Sequence, residues 1–123
     1  MADQLVCKWL DFTATYNNVS KQLERDLISR HNLALKEFYV LMYLDCAEDN
    51  QLPLKELQNK VGLSQSAMSR LATRMESKDC GVIRRQGYGD DKRGVYAKMT
   101  DKGHSFYDEV KVTFEETLRS TFQ

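Results

Sequence analysis

Ser66, Ser69, Arg70 and Thr73, with Gln65 just before them, are the residues of this chain whose types and spacing best suit recognition of another molecule. Within Ser64–Glu76, Met68, Leu71, Ala72 and Met75 recur on one side of a helix. Ser66, Arg70, Thr73 and Ser77 fall opposite them, with Ser69 and Arg74 on the flanks. Short polar side chains let a helix sit deep in a major groove, and arginine can bond guanine O6 and N7 bidentately. A second basic group follows: Arg84 and Arg85, then Lys92 and Arg93 in a turn-rich segment. Arginine suits narrow, electronegative minor grooves, so Arg93 is the expected contact there. Asp91, two residues earlier, is placed to hold its guanidinium by a carboxylate pair. Lys92, Arg84 and Arg85 read as charges that position a nucleic-acid backbone without reading sequence. Each of these side chains, taken alone, is also what an ordinary solvated surface carries.

The elements needed to position these groups are legible. Leu5, Trp9, Phe12, Tyr16, Val19, Leu23 and Leu27 recur at steps of three and four from Asp3 to about Arg30, without Gly or Pro. Such a helix is about 40 Å long at about 1.5 Å per residue, more than one small domain covers, so part of it is expected to pack on a second copy. The other reading is a helix lying across its own domain. Asn32 is expected to cap a helix from Leu33 to about Cys46, with Leu35, Phe38, Leu41, Met42 and Leu44 inward. A polar loop follows. Pro53 suits the first turn of a short helix over Leu54 to Val61, closed by Gly62. Ser64 opens the polar-faced helix, which runs to about Lys78. Gly81 to Gln86 and Gly94 to Met99 read as two strands, with Val95, Ala97 and Met99 on the buried side. Thr100 caps a last helix carrying Phe106, Val110, Phe114, Leu118 and Phe122 at every fourth position.

The fold class expected is therefore mainly α with a small β-hairpin wing. It is expected to be a winged helix-turn-helix in one domain over residues 1–123, with 32–100 the expected DNA-binding part. On the first helix, residues 1–31, the expected dimer contacts fall to Leu5, Trp9, Phe12 and Tyr16.

Composition agrees with a globular protein: 123 residues, 41% hydrophobic and 29% charged. Net charge is zero, but its distribution is not even. From Ser64 to Lys102 there are nine Lys and Arg against five Asp and Glu, a local excess of +4. A local basic block matters more for DNA than the total. No stretch approaches the roughly 18–20 apolar residues of a membrane span, and no signal-peptide pattern opens the chain. A cytoplasmic location is expected. The three cysteines, Cys7, Cys46 and Cys80, are odd in number and lack C-x-x-C spacing, so no disulfide framework is expected. His31 and His104 are the only histidines, and no ligand spacing suggests a metal. No nucleophile-plus-base motif or phosphate-binding glycine loop is present, so neither an enzyme nor a cofactor is expected.

The run SQSAMSRLATRME followed by IRRQGYGDDKRGVYAKMTDKG resembles the MarR family of bacterial transcriptional regulators. The family's Asp-x-Arg wing matches Asp91 and Arg93, and its Leu-Thr-x-x-Gly ending matches Met99 to Gly103 with Met for Leu. The resemblance is specific over about Leu54 to Gly103 and looser in the flanking helices. It implies a homodimer that straddles a pseudopalindromic operator on double-stranded DNA. Such a regulator represses nearby genes until a small molecule or oxidant binds. Ser66, Ser69 and Arg70 would then face bases or phosphates, and Arg93 would enter the minor groove. The resemblance also implies N- and C-terminal dimerisation helices, here residues 1–31 and 101–123, so that Phe106, Val110, Phe114 and Leu118 join the first helix in the expected dimer. The further C-terminal helix that many members add to the dimer is not expected to contribute. Some relatives sense oxidants through a cysteine near the start of the first helix, which makes Cys7 the candidate redox residue. Trp9, Phe12, Tyr16, Phe38 and Tyr39 are candidates to line a small aromatic ligand, or simply to pack. The competing reading of the whole chain is a winged-helix module that binds a protein partner rather than DNA.

Overall fold

The computed structural model describes residues 3–87 and 94–122. Five helices and a small sheet follow in the order α1 (Gln4–His31), α2 (Leu35–Cys46), β1 (Gln51–Pro53), α3 (Leu54–Val61), α4 (Gln65–Glu76), β2 (Ile83–Gly87), β3 (Val95–Met99) and α5 (Asp101–Phe122). The mainly α fold with a small antiparallel sheet is the one expected. The chain divides into two compact units, residues 1–35 with 111–123, and residues 36–110.

In the first unit, Asp3 caps α1 by accepting from the Leu5 N–H at 2.9 Å. Val19, Leu23 and Leu27 form a buried stripe at every fourth residue. The second half of α5 is fixed to α1 by polar pairs: Thr117 Oγ1 donates to Asp26 Oδ2 at 2.6 Å, and His31 Nε2 lies 2.7 Å from Thr113 Oγ1. Both threonines are buried. An exposed Arg30–Glu116 ion pair at 3.1 Å adds little by comparison.

Asn32 does not open the second helix as expected. It closes α1 in the left-handed conformation, φ 53°, with its N–H directed to Ile28 and Leu27 carbonyls. Asparagine tolerates that region because its short polar side chain bonds locally. The next helix accordingly starts at Leu35, whose N–H is satisfied by Glu24 Oε2 at 2.5 Å.

In the second unit, Phe38, Val40, Leu41 and Leu44 of α2, Leu57 and Val61 of α3, and Met68, Ala72 and Met75 of α4 are all buried and supply the core. Phe38 stacks on Tyr107 with ring centroids 5.6 Å apart. Each such buried side chain contributes on the order of 1.5–3 kcal/mol. The sheet order is β1-β3-β2, all antiparallel. The expected hairpin is present, and β3 also pairs with β1, where only a loop and a helix start were expected. Pro53 is the last residue of that strand and precedes α3 rather than lying in it. Proline is tolerated at such an edge because its missing N–H faces no ladder partner. Val95, expected inside, is exposed at the strand's start, whereas Ala97 and Met99 are buried.

Candidate nucleic-acid interface

α4 is built as the sequence implied. The Ser64 hydroxyl accepts from the Ala67 N–H at 3.1 Å, the N-cap bond that satisfies a first-turn donor. Gly62, in the left-handed region at φ 82°, ends α3 and turns the chain into this cap. Met68, Ala72 and Met75 are buried, with Leu71 half-buried beside them. Gln65, Ser66, Ser69, Arg70, Thr73 and Arg74 are all exposed. At about 100° per residue the first five cover an arc of about 140°, a face wide enough for a groove.

The two halves of that face differ. Arg70 has no ion-pair partner among the described residues. In the second half each polar group is already engaged. Thr73 Oγ1 donates to the Ser69 carbonyl at 2.9 Å and accepts from Arg85 Nη2 at 3.2 Å. Arg74 Nε lies 3.4 Å from Oε2 of Glu37, a carboxylate buried in the core side of α2. Arg85 grips Glu76 three ways: its backbone N–H to Oε2 at 2.7 Å, Nε to Oε1 at 3.1 Å and Nη2 to Oε1 at 3.0 Å. The bond from the Arg85 backbone N–H, ahead of the guanidinium bonds and charge, holds the Glu76 carboxyl below its ordinary range against partial burial. Arg85 thus ties β2 to the end of α4.

On the opposite face of the sheet, Arg84 of β2 stands directly across from Lys98 of β3, both exposed. Like charges in such register repel, so an anionic surface would be favoured there. Asp91, Lys92 and Arg93 lie outside the described residues. A groove of about 410 Å³ runs beside the start of α4, lined by Leu54, Lys55, Gln58, Gln65, Met68, Ser69, Gly94 and Val95.

The expected dimer residues separate sharply. Leu5, Trp9, Phe12 and Tyr16 are 54–73% exposed, with Val6 and Leu10 exposed next to them. Phe106, Phe114 and Leu118 are half-buried, and Val110 is fully buried within its own chain. Cys7 and Cys46 are exposed and Cys80 half-buried, all as free thiols. Among the described residues no group of three His, Cys, Asp or Glu could hold a metal ion. No helix among them is long and apolar enough to cross a membrane.

The residues missed in the sequence are Glu37, Glu76 and Lys98. The only signal for the first was a carboxylate at an inward helix position (one turn before Leu41); ion pairs across elements leave no local spacing.

A helical second unit with a polar-faced α4 and an adjoining antiparallel hairpin defines a winged helix-turn-helix. The chain belongs to the transcriptional regulator SarA/Rot family, whose profile matches residues 22–110. Its fold is that of MarR family regulators. AbsC, a MarR family transcriptional regulator from Streptomyces coelicolor, superposes with a TM-score of 0.85 at 25% identity, over 99% of this chain and 80% of that one. Sco3205 from the same organism, solved in complex with DNA, gives 0.85 at 21% identity over 98% and 75%. The transcriptional repressor MprA of Escherichia coli is 28% identical over 95 residues, 72% of this chain and 53% of that protein. The HTH-type transcriptional regulator FarR of Neisseria gonorrhoeae is 25% identical over 92 residues, 75% and 60%. The chain therefore spans 53–60% of the length of these two relatives. The family is one of transcriptional regulators, not of enzymes.

Proposed function

We propose that this chain is a sequence-specific, double-stranded-DNA-binding regulator that acts as a homodimer on a pseudopalindromic operator. The carrying observation is the exposed start of α4: Gln65, Ser66, Ser69 and Arg70 on one face above a buried Met68–Ala72–Met75 stripe. In this reading Arg70 bonds a guanine edge, and the short neighbours bond bases or phosphates. Thr73, Arg74 and Arg85 border the groove, with their geometry already held by the chain's own bonds. Arg84 and Lys92 meet backbone, and Arg93, supported by Asp91, enters the minor groove, a role carried by the sequence motif. The exposed Leu5, Trp9, Phe12 and Tyr16 cover themselves against a second copy, with Phe106, Phe114 and Leu118 contributing. A small aromatic ligand and, through Cys7, an oxidant are the candidate signals that release DNA.

Selection of duplexes from a randomised pool, followed by sedimentation of the complex, tests the proposal. An inverted repeat bound by two chains supports it. Failure to enrich any duplex, with a protein partner recovered instead, contradicts it.

A further inference from the structure

Among the described residues, Glu37 is the charged side chain that is buried. It stands in the first turn of α2, is 3% exposed, and its Oε2 lies 3.4 Å from Arg74 Nε. An ion pair that takes a carboxylate out of water is often no more stabilising than well-packed apolar residues of the same size. The pair therefore points to geometry rather than to stability. Its other member lies on α4, where the buried stripe gives way to the polar face. On the same end of α4, Glu76 is held by Arg85 of β2. The end of α4 is thus gripped from two sides, by α2 and by the sheet.

We infer that Glu37 is a positioning residue for DNA recognition. It acts through Arg74 to set the rotation of α4, and with it the direction in which Gln65, Ser66, Ser69 and Arg70 meet base edges. This rests on the DNA-reading role proposed for α4. Glu37 itself is too buried, and of the wrong sign, to touch DNA. Arg74 is 51% exposed along its side chain, so its guanidinium can meet a phosphate while Glu37 orients it. A rotation of about 20° moves a side-chain tip about 6 Å from the helix axis by about 2 Å, enough to break a bidentate base contact.

Glu37→Gln and Arg74→Lys separate this from charge alone. Glu37→Gln makes each chain one unit more positive, which by electrostatics would tighten binding to any duplex. Positioning instead requires that preference for a duplex selected by the wild-type protein, over its scrambled counterpart, fall about tenfold. Affinity for scrambled DNA should stay level or rise. Arg74→Lys keeps the charge but lacks the planar fork, and should lose the same preference; the double variant should lose no more than either single one. Unchanged preference in both single variants, or losses that add, would overturn the inference. Should Glu37→Gln fail to fold by circular dichroism, Arg74→Lys decides alone: lost preference supports the inference and retained preference overturns it. A wild-type protein that prefers no duplex sinks the DNA-reading proposal instead. Hydrogen exchange then decides positioning: faster exchange over residues 72–76 in Arg74→Lys, with α5 unchanged, supports it, and identical exchange overturns it.

Discussion

Arg85 closes on Glu76 with both its backbone N–H, at 2.7 Å, and its guanidinium, at 3.0–3.1 Å, so a single carboxylate joins the sheet to the end of α4. The backbone bond chiefly lowers the Glu76 pKa below its ordinary 4.5. A carboxyl with a depressed folded value adds stability that is present above the unfolded value and is lost as pH falls through the folded one. Melting followed by circular dichroism should therefore show stability declining as pH drops below about 4.5, and Glu76→Gln should flatten that part of the profile. Identical acid profiles for the two proteins would remove the clamp from the account.

Gly103 lies against the strand turn. A Cβ built there would fall 2.1 Å from the Val82 carbonyl oxygen and 2.8 Å from Met99 Cγ. Gly103→Ala should destabilise the protein by about 1–3 kcal/mol or more, since the nearest obstacle is backbone and cannot swing away. A melting temperature equal to the wild type's would contradict this close approach.

Phe12→Asp places a charge in the exposed apolar face of α1, where Phe12 is 63% exposed and stacks on Trp9 at 6.1 Å. Sedimentation should show dimer converted to monomer with helix content retained. An unchanged oligomer would sink the α1 interface. Leu23 is unsuited to this test because it is buried within its own chain.

Arg70→Ala should cost about 1–3 kcal/mol in operator binding and relax one base position. A loss equal on specific and random duplexes would reassign Arg70 to a phosphate.

Much of this architecture was legible in residue spacing. The Met68–Ala72–Met75 stripe, the Ser64 cap and the Gly62 turn are local signals, and each appears where its chemistry requires it. Interactions distant in sequence were not legible. Gln51–Pro53 is too short to show alternation, and becomes a strand only because β3 offers Tyr96 to Lys98 as partners. The residues that α5 buries within its own chain were only partly legible: Val110 stands out as apolar, but Tyr107, Thr113 and Thr117 are buried with it. Thr117 is buried because its hydroxyl bonds Asp26 and the Thr113 carbonyl, a satisfaction that no hydropathy pattern records. Glu37 and Glu76 escaped for the same reason.

The most direct test of the central claim is a fluorescence-anisotropy titration of a selected duplex beside its scrambled counterpart, at several salt concentrations. The account predicts tight binding that prefers the selected duplex and weakens steeply with salt, as phosphate neutralisation by Arg and Lys demands. Weak binding, equal on both duplexes and indifferent to salt, would contradict it.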